Sequence, residues 1–205
     1  MILLEKNLSE FELDALREIS NIGSGNAATV LSQLVNKKID MTVPQVDVLP
    51  FNDMIRKIGA EDEKFVAVLL RVFGDAPGNI LYLMGYKKAE SVMKYMLKDY
   101  KEYNTENEEL STSVYQEIGN ILGNSYLNAI SKMTGLTLMT SVPAVAIDML
   151  AAILTTSFIY AQQYDDYVLA IDTHFIDDNK DVGGSFIYIP SPGSLDKILK
   201  NLGIK

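Results

Sequence analysis

Apolar residues return at helical spacing through residues 8–35. Leu16, Ile19, Gly23, Ala27, Val30 and Leu34 form one stripe, which predicts a long amphipathic helix. Ser9 stands at the N-cap with Glu12 three residues on as a capping-box partner, and Asn36-Lys37-Lys38 closes the segment. Alternation then replaces the helical period. Ile39, Met41 and Val43 alternate with polar residues, and Val46 and Val48 continue past Pro44, which predicts a strand with Pro44 at an edge or bulge. Residues 52–63 are polar and acidic and read as a short helix or a loop. Phe65–Phe73 and Asn79–Met84 read as the strands of a hairpin around the turn at 74–78. Tyr86–Tyr100 reads as a helix with Ala89, Val92, Met93, Met96 and Leu97 on its apolar face.

After a polar linker at 101–108 the pattern starts again. Residues 108–133 predict a second long helix, and Leu136–Met149 a strand through Pro143. Ala151–Ala161 and Tyr167–Phe175 read as strands, Asp177–Gly184 as a turn, Ser185–Ile189 as a strand and Leu195–Leu202 as a short closing helix. The recurrence extends to residue identity. Laid on 113–145 at an offset of 99, residues 14–46 match at Glu18, Ile19, Asn21, Ile22, Ser32, Val43, Pro44 and Val46. Eight identities in 33 positions exceed the roughly two that ordinary composition gives by chance. The pattern predicts one domain over residues 1–205, with internal repeats at about 8–100 and 108–203. Its class is α/β of the α+β kind: a duplicated α-β-β-β-α unit with pseudo-twofold symmetry, the sheets brought together and the long helices packed on them.

Composition narrows what such a chain can do. At 205 residues, 48% hydrophobic and 22% charged, it can bury a substantial core. A net charge of -9 offers no basic field to displace counterions from phosphates, which disfavours nucleic acid as a partner. The absence of cysteine excludes disulfides and thiolate metal sites, and one histidine, His174, excludes a His-rich zinc site in a single chain. The apolar stretch 142–161 approaches the length of a membrane span, about 20 residues. It carries Pro143, Asp148 and the run Thr155-Thr156-Ser157, so buried strands are expected there rather than insertion. The N-terminal residues 1–7 lack the basic region of a signal peptide, and a cytoplasmic location is expected.

The candidate chemistry lies on the repeated helices. Successive residues are separated by about 100°, so Asp14, Glu18 and Asn21 share one side of the first helix, followed by the small residues Gly25, Ala28 and Ser32. Ser113, Glu117 and Asn120 share one side of the second, followed by Asn124, Leu127 and Ser131, with Tyr115, Ile118, Leu122, Tyr126, Ala129 and Met133 opposite. Leu127 against Ala28 suggests two unequal faces. One exposed Glu–Asn pair is an ordinary solvated surface. Its return at matching positions, while neighbours differ (Arg17 against Gln116, Thr29 against Asn128), points to function. A carboxamide donates and accepts at once and so can orient a water; a carboxylate can pair with a lysine or arginine. A convex helix face cannot enclose a small molecule, but it can enter another protein's pocket.

These residues resemble a known pattern: Asp or Ser, three residues, Glu, two residues, Asn, twenty-two residues, Pro. The sequence satisfies it twice, as Asp14, Glu18, Asn21, Pro44 and as Ser113, Glu117, Asn120, Pro143. The chain thereby resembles the CheC family of chemotaxis phosphatases, with CheX and FliY as relatives, and two intact motifs place it nearest the CheC branch. The resemblance implies hydrolysis of the aspartyl-phosphate of the response regulator CheY. Asn21 and Asn120 would orient the attacking water, and Glu18 and Glu117 would engage the regulator's active-site lysine. It implies no cofactor of the chain's own, with Mg2+ carried by the regulator, and a second partner, the receptor deamidase CheD. A monomer is expected. Two other readings stand beside it: a non-enzymatic adaptor that binds the deamidase or the phosphorylated regulator, and a carboxylate-based metal hydrolase.

Three further signals read as structural. Gly23-Ser24-Gly25-Asn26 looks like a phosphate-cradling fragment, but it follows no strand and lies inside a helix, where close packing explains Gly23. Asp177-Asp178-Asn179-Lys180-Asp181 matches the start of a calcium loop, but Val182 stands where glycine is required and Tyr188 where a glutamate would close it. His174 beside Phe175 on a strand is read as structural.

Overall fold

The capping box written into Ser9 and Glu12 starts the first helix, α1 (Glu10–Val35). The Ser9 hydroxyl accepts from the Glu12 amide at 3.3 Å, and the Glu12 carboxylate accepts from the Ser9 amide at 2.7 Å. Asn36 ends it in the left-handed region at φ 51°, which asparagine tolerates better than most residues. The chain continues through β1 (Asp40–Pro50), α2 (Phe51–Ile58), β2 (Lys64–Gly74), β3 (Gly78–Gly85) and α3 (Tyr86–Met96). The second half runs α4 (Glu108–Thr134), β4 (Leu138–Thr140), β5 (Ala144–Met149), α5 (Leu150–Ala161), β6 (Tyr167–Asp177), β7 (Lys180–Asp181), β8 (Gly184–Pro190) and α6 (Ser194–Asn201). This computed structural model describes residues 8–36, 38–97, 108–161, 167–177, 180–181 and 184–203. Residues 101–107 of the expected linker at 101–108, the end of the expected helix at 98–100, and residues 178–179 and 182–183 of the expected turn lie outside them, as do residues 1–7.

The strands form one antiparallel sheet in the order β1-β6-β8-β3-β2-β4, with β5 also on β2 and β7 on β6. Exchanging β1 with the β4–β5 pair, β6 with β2 and β8 with β3 leaves this order unchanged. The first half runs α-β-α-β-β-α, and the second, with β4 and β5 separate and β7 between β6 and β8, runs α-β-β-α-β-β-β-α. The expected unit, α-β-β-β-α, did not count the segment after the first strand, read as a short helix or a loop; in the first half it is the helix α2.

Two clusters of buried side chains cover the two faces of the sheet. Val66, Val68, Leu70 and Val72 of β2, Ile80, Tyr82 and Met84 of β3, and Phe186 and Tyr188 of β8 meet α1, α3, α4 and α6. Phe65 and Ala67, Leu81 and Leu83, and Ile187 and Ile189 meet Met54 of α2 and Leu150, Ile153 and Leu154 of α5. Burial on both faces explains why these strands read as unbroken apolar runs rather than alternating ones. Each such aliphatic side chain contributes about 1.5–3 kcal/mol when fully buried.

Four expectations are corrected. Residues 151–161 form α5, not a strand. Leu150, Ile153 and Leu154 lie three and four apart on the buried side, and Thr155 and Thr156 donate their hydroxyls to the carbonyls of Ala151 and Ala152 within the helix. The expected strand 136–149 is two strands, broken at 141–143, because proline has no amide to give the ladder. On α1, Val30 and Leu34 are exposed and Leu31 is buried in their place, and Met133 on α4 is exposed too. Leu127 lies not on the outward face but in the core, 2% exposed. A stripe drawn at regular spacing drifts from the true face over a helix of 26 or 27 residues, whereas burial follows the neighbours each turn meets. The expected bulge at Pro44 is present: the β1–β6 register shifts between Thr42 and Gln45.

Candidate functional site

Packing against the sheet fixes how α4 presents its polar side. A Cβ on Gly119 would come within 2.3 Å of Val68 Cγ1, so only glycine lets this turn of α4 sit so close to β2. Tyr126 stacks on Phe186 with ring centroids 4.1 Å apart, anchoring the next turns over the middle of the sheet. Gly23 of α1 also packs closely on Tyr126; a Cβ there would lie 2.7 Å from the ring. With Tyr115, Ile118 and Leu122 buried, Ser113, Glu117 and Asn120 face outward.

The broken strand completes the site. Between β4 and β5, Ser141 takes the place of a ladder residue. Its amide donates to the Arg71 carbonyl at 2.9 Å, and its hydroxyl accepts from the Arg71 amide at 3.0 Å. Residues 142 and 143 then leave the sheet and pass beside α4, where the Gln116 side chain donates to the Pro143 carbonyl at 3.2 Å. Ser113, Gln116, Glu117, Asn120, Thr140, Ser141, Val142 and Pro143 line one open groove of about 470 Å³. The spacing from Asn120 to Pro143 therefore has a geometric meaning: it is the chain needed to finish the helix, turn, and return as the opposite wall.

Within the groove the carboxamide of Asn120 is braced. Asn124 Nδ2 donates to Asn120 Oδ1 at 2.8 Å and to the Asn120 carbonyl at 2.9 Å, and Thr140 Oγ1 donates to Asn124 Oδ1 at 3.2 Å. Ser113 donates to the Glu109 carbonyl at 2.9 Å, inside its own helix. Glu117 is exposed at the groove.

On α1, Asp14, Glu18 and Asn21 are exposed along one side. Asp14 pairs with Arg17 at 2.6 Å, an exposed pair within the helix. Asn21 accepts from Ser24 through its backbone carbonyl, and among the described residues its side chain makes no hydrogen bond. Pro44 stands in β1 at the register shift. The sequence did not mark Gln116, Thr140, Ser141 or Val142 as contacts of the candidate face; Val142 stood out only as the repeat partner of Val43 and the start of an apolar stretch. For Thr140 and Ser141 the sequence signal was nearness to Pro143. Among the described residues no three His, Asp or Glu side chains converge where a metal could be held, and no helix is long and apolar enough to cross a membrane.

Comparison with known proteins bears on both helices. The model of the CheC-like family matches residues 11–47 and 110–154, segments that contain the two motifs whole. The chain is 31% identical over 200 residues to the CheY-P phosphatase CheC of Bacillus subtilis (strain 168), covering 96% of each protein. The chain belongs to the CheC-like family. A second relative, the flagellar motor switch phosphatase FliY of the same organism, is 35% identical over 91 residues, 44% of this chain and 23% of that protein. The fold is also that of Thermotoga maritima FliY, whose crystal structure matches with a TM-score of 0.77 at 22% identity over 96% of this chain and 98% of that one. Within this CheC-like chain the motif-bearing face of α4 is walled by residues 140–143 and internally hydrogen-bonded.

Proposed function

We propose that this protein is a phosphatase that hydrolyses the aspartyl-phosphate of a CheY-like response regulator. The observation that carries the reading is the groove in which Glu117, Asn120 and Pro143 of one motif meet, with the Asn120 carboxamide braced at its edge. The family membership supports it, as does the name of the Bacillus subtilis relative, a CheY-P phosphatase.

The groove is open and has no deep pocket of its own, so it suits a partner that brings the reacting centre with it. In this reading the regulator supplies the phosphoryl group, its Mg2+ and its lysine. Glu117 pairs with the lysine and sets the docking. Asn120 holds a water in line with phosphorus. The water oxygen forms the new P–O bond as the bond to the aspartyl oxygen breaks. Inorganic phosphate leaves, the aspartate returns as a carboxylate, and the water's proton passes to phosphate or solvent. Little covalent work falls to the phosphatase, because positioning and charge dominate phosphoryl transfer. Glu18 and Asn21 would act in the same way on α1.

The test follows the decay of a phosphorylated CheY-like regulator with and without the protein. Acceleration by the native chain, abolished in Asn21→Ala/Asn120→Ala, is the expected result. A double variant as active as the native chain overturns the mechanism, and a native chain that never accelerates the decay overturns the enzymatic reading in favour of an adaptor.

A further inference from the structure

We infer that Asn124, held in place by Thr140, is a positioning residue that presets the carboxamide of Asn120, and that the α1 face works without such a brace. The inference rests on the phosphatase reading above. A backbone carbonyl can only accept, so the end of Asn124 that faces the Asn120 carbonyl at 2.9 Å is its NH2. The same nitrogen reaches Asn120 Oδ1 at 2.8 Å, and the oxygen at the other end accepts from Thr140 at 3.2 Å. The orientation of Asn124 is thus set by the main-chain carbonyl, which can only accept, and the Thr140 hydroxyl, free to donate or accept, donates to the oxygen that this leaves facing it. Asn120 inherits that orientation, since flipping its amide would set NH2 against NH2. Its own NH2 and the second lone pair of Oδ1 stay available to a water.

The counterparts on the first helix, at the same offset of 99, are Gly25 and Met41. Neither side chain offers a donor. Gly25 has no side chain to take the part of Asn124, and a Cβ there would meet nothing within 4 Å among the described residues. Asn21 must therefore be ordered by the regulator itself, and the cost of immobilising one such side chain corresponds to about fivefold in rate.

The experiment uses the full chain with a phosphorylated CheY-like regulator as substrate, in an Asn21→Ala background so that only the α4 face acts. Asn124→Ala is expected to lower kcat about fivefold with KM within twofold, because docking through Glu117 is untouched. Asn124→Asp, alike in shape but without the NH2, is expected to fall at least as far. Thr140→Val is expected to lower kcat in the same direction, while Thr140→Ser, which keeps the hydroxyl, holds the parental value. A merely structural role would show as a lower Tm with no difference between Val and Ser at 140. Unchanged kcat in Asn124→Ala, or equal rates for Thr140→Val and Thr140→Ser, overturns the inference while leaving the phosphatase reading intact. Should Asn124→Ala fail to fold, the Thr140 pair decides alone. Full activity in Asn21→Ala/Asn120→Ala instead sinks the underlying reading, whatever Asn124 does.

Discussion

Asn124 Nδ2 sits 2.8 Å from Oδ1 of Asn120, one helical turn away, and the hydroxyl of Thr140 holds Asn124 from the neighbouring strand. The pair makes the α4 face a prearranged surface, whereas Asn21 on α1 makes no such contact among the described residues. Exposed glutamate–asparagine pairs are common on helices. Here one of them is backed by a wall of chain and a hydrogen-bonded neighbour, and that backing separates a candidate site from a solvated face.

Unequal faces should give unequal single variants. Asn120→Ala is expected to cost the larger share of regulator dephosphorylation, leaving roughly a fifth of the native rate, and Asn21→Ala the smaller share. The ratio follows from about 1 kcal/mol for ordering an unbraced side chain. Steady-state rates of the two variants against one phosphorylated regulator check it; equal losses would contradict the structural asymmetry.

Gly119 lies between Glu117 and Asn120, where a Cβ would press into Val68 at 2.3 Å. Gly119→Ala is expected to destabilise the protein by about 1–3 kcal/mol through overpacking, set against about 1 kcal/mol of improved helix propensity. A net loss read by urea unfolding, together with a lowered phosphatase rate as this turn lifts off β2, is the anticipated result. A variant more stable than the parent would show that α4 can shift without penalty.

Tyr188 donates its hydroxyl to the Ala76 carbonyl at 2.8 Å, tying β8 to the turn before β3. Burial pushes its ionisation well above the ordinary tyrosine range, so the group stays neutral and the bond is not pH-dependent near neutrality. Tyr188→Phe leaves that carbonyl without its partner and is expected to cost about 1–2 kcal/mol, measured by chemical denaturation with phosphatase activity retained.

Asp75 in the β2–β3 turn accepts from Lys197 of α6 at 2.8 Å and from the Thr137 amide at 2.9 Å. The Lys197 bond, the Thr137 bond and the lysine's charge hold its carboxyl below the ordinary value of 3.8. A depressed folded-state pKa stabilises the fold above the unfolded value, and the contribution disappears as pH falls through the folded one. The stability difference between native and Asp75→Asn should therefore be present at pH 6 and shrink below about pH 4. Denaturation at the two pH values tests this, and a difference that grows in acid would reverse the assignment.

Much of this molecule was legible in its sequence because the signals were local. Ser9 and Glu12 marked the start of α1, Asn36 marked its end, and apolar spacing marked both long helices. The spacing of Glu18, Asn21 and Pro44, repeated as Glu117, Asn120 and Pro143, picked out the candidate faces. Periodicity failed where two environments share one composition. The run at 150–161 is apolar and β-branched, as a buried strand would be, and only its place across the sheet, with Leu150, Ile153 and Leu154 facing β2 and β3, makes it a helix. Leu127 likewise falls on the outward side by helical angle alone, and packing places it in the core.

The sequence by itself determined which residue types recur and at what spacing, since backbone geometry converts spacing into a shared helix face without help from the rest of the chain. Only the tertiary structure decided that the second copy lines a groove. That depended on where Ser141 clamps Arg71, how Gln116 catches the Pro143 carbonyl, and that Thr140 from a strand reaches Asn124 on a helix. These contacts join residues separated by 16 to 70 positions, and no local rule of helix or strand formation encodes them.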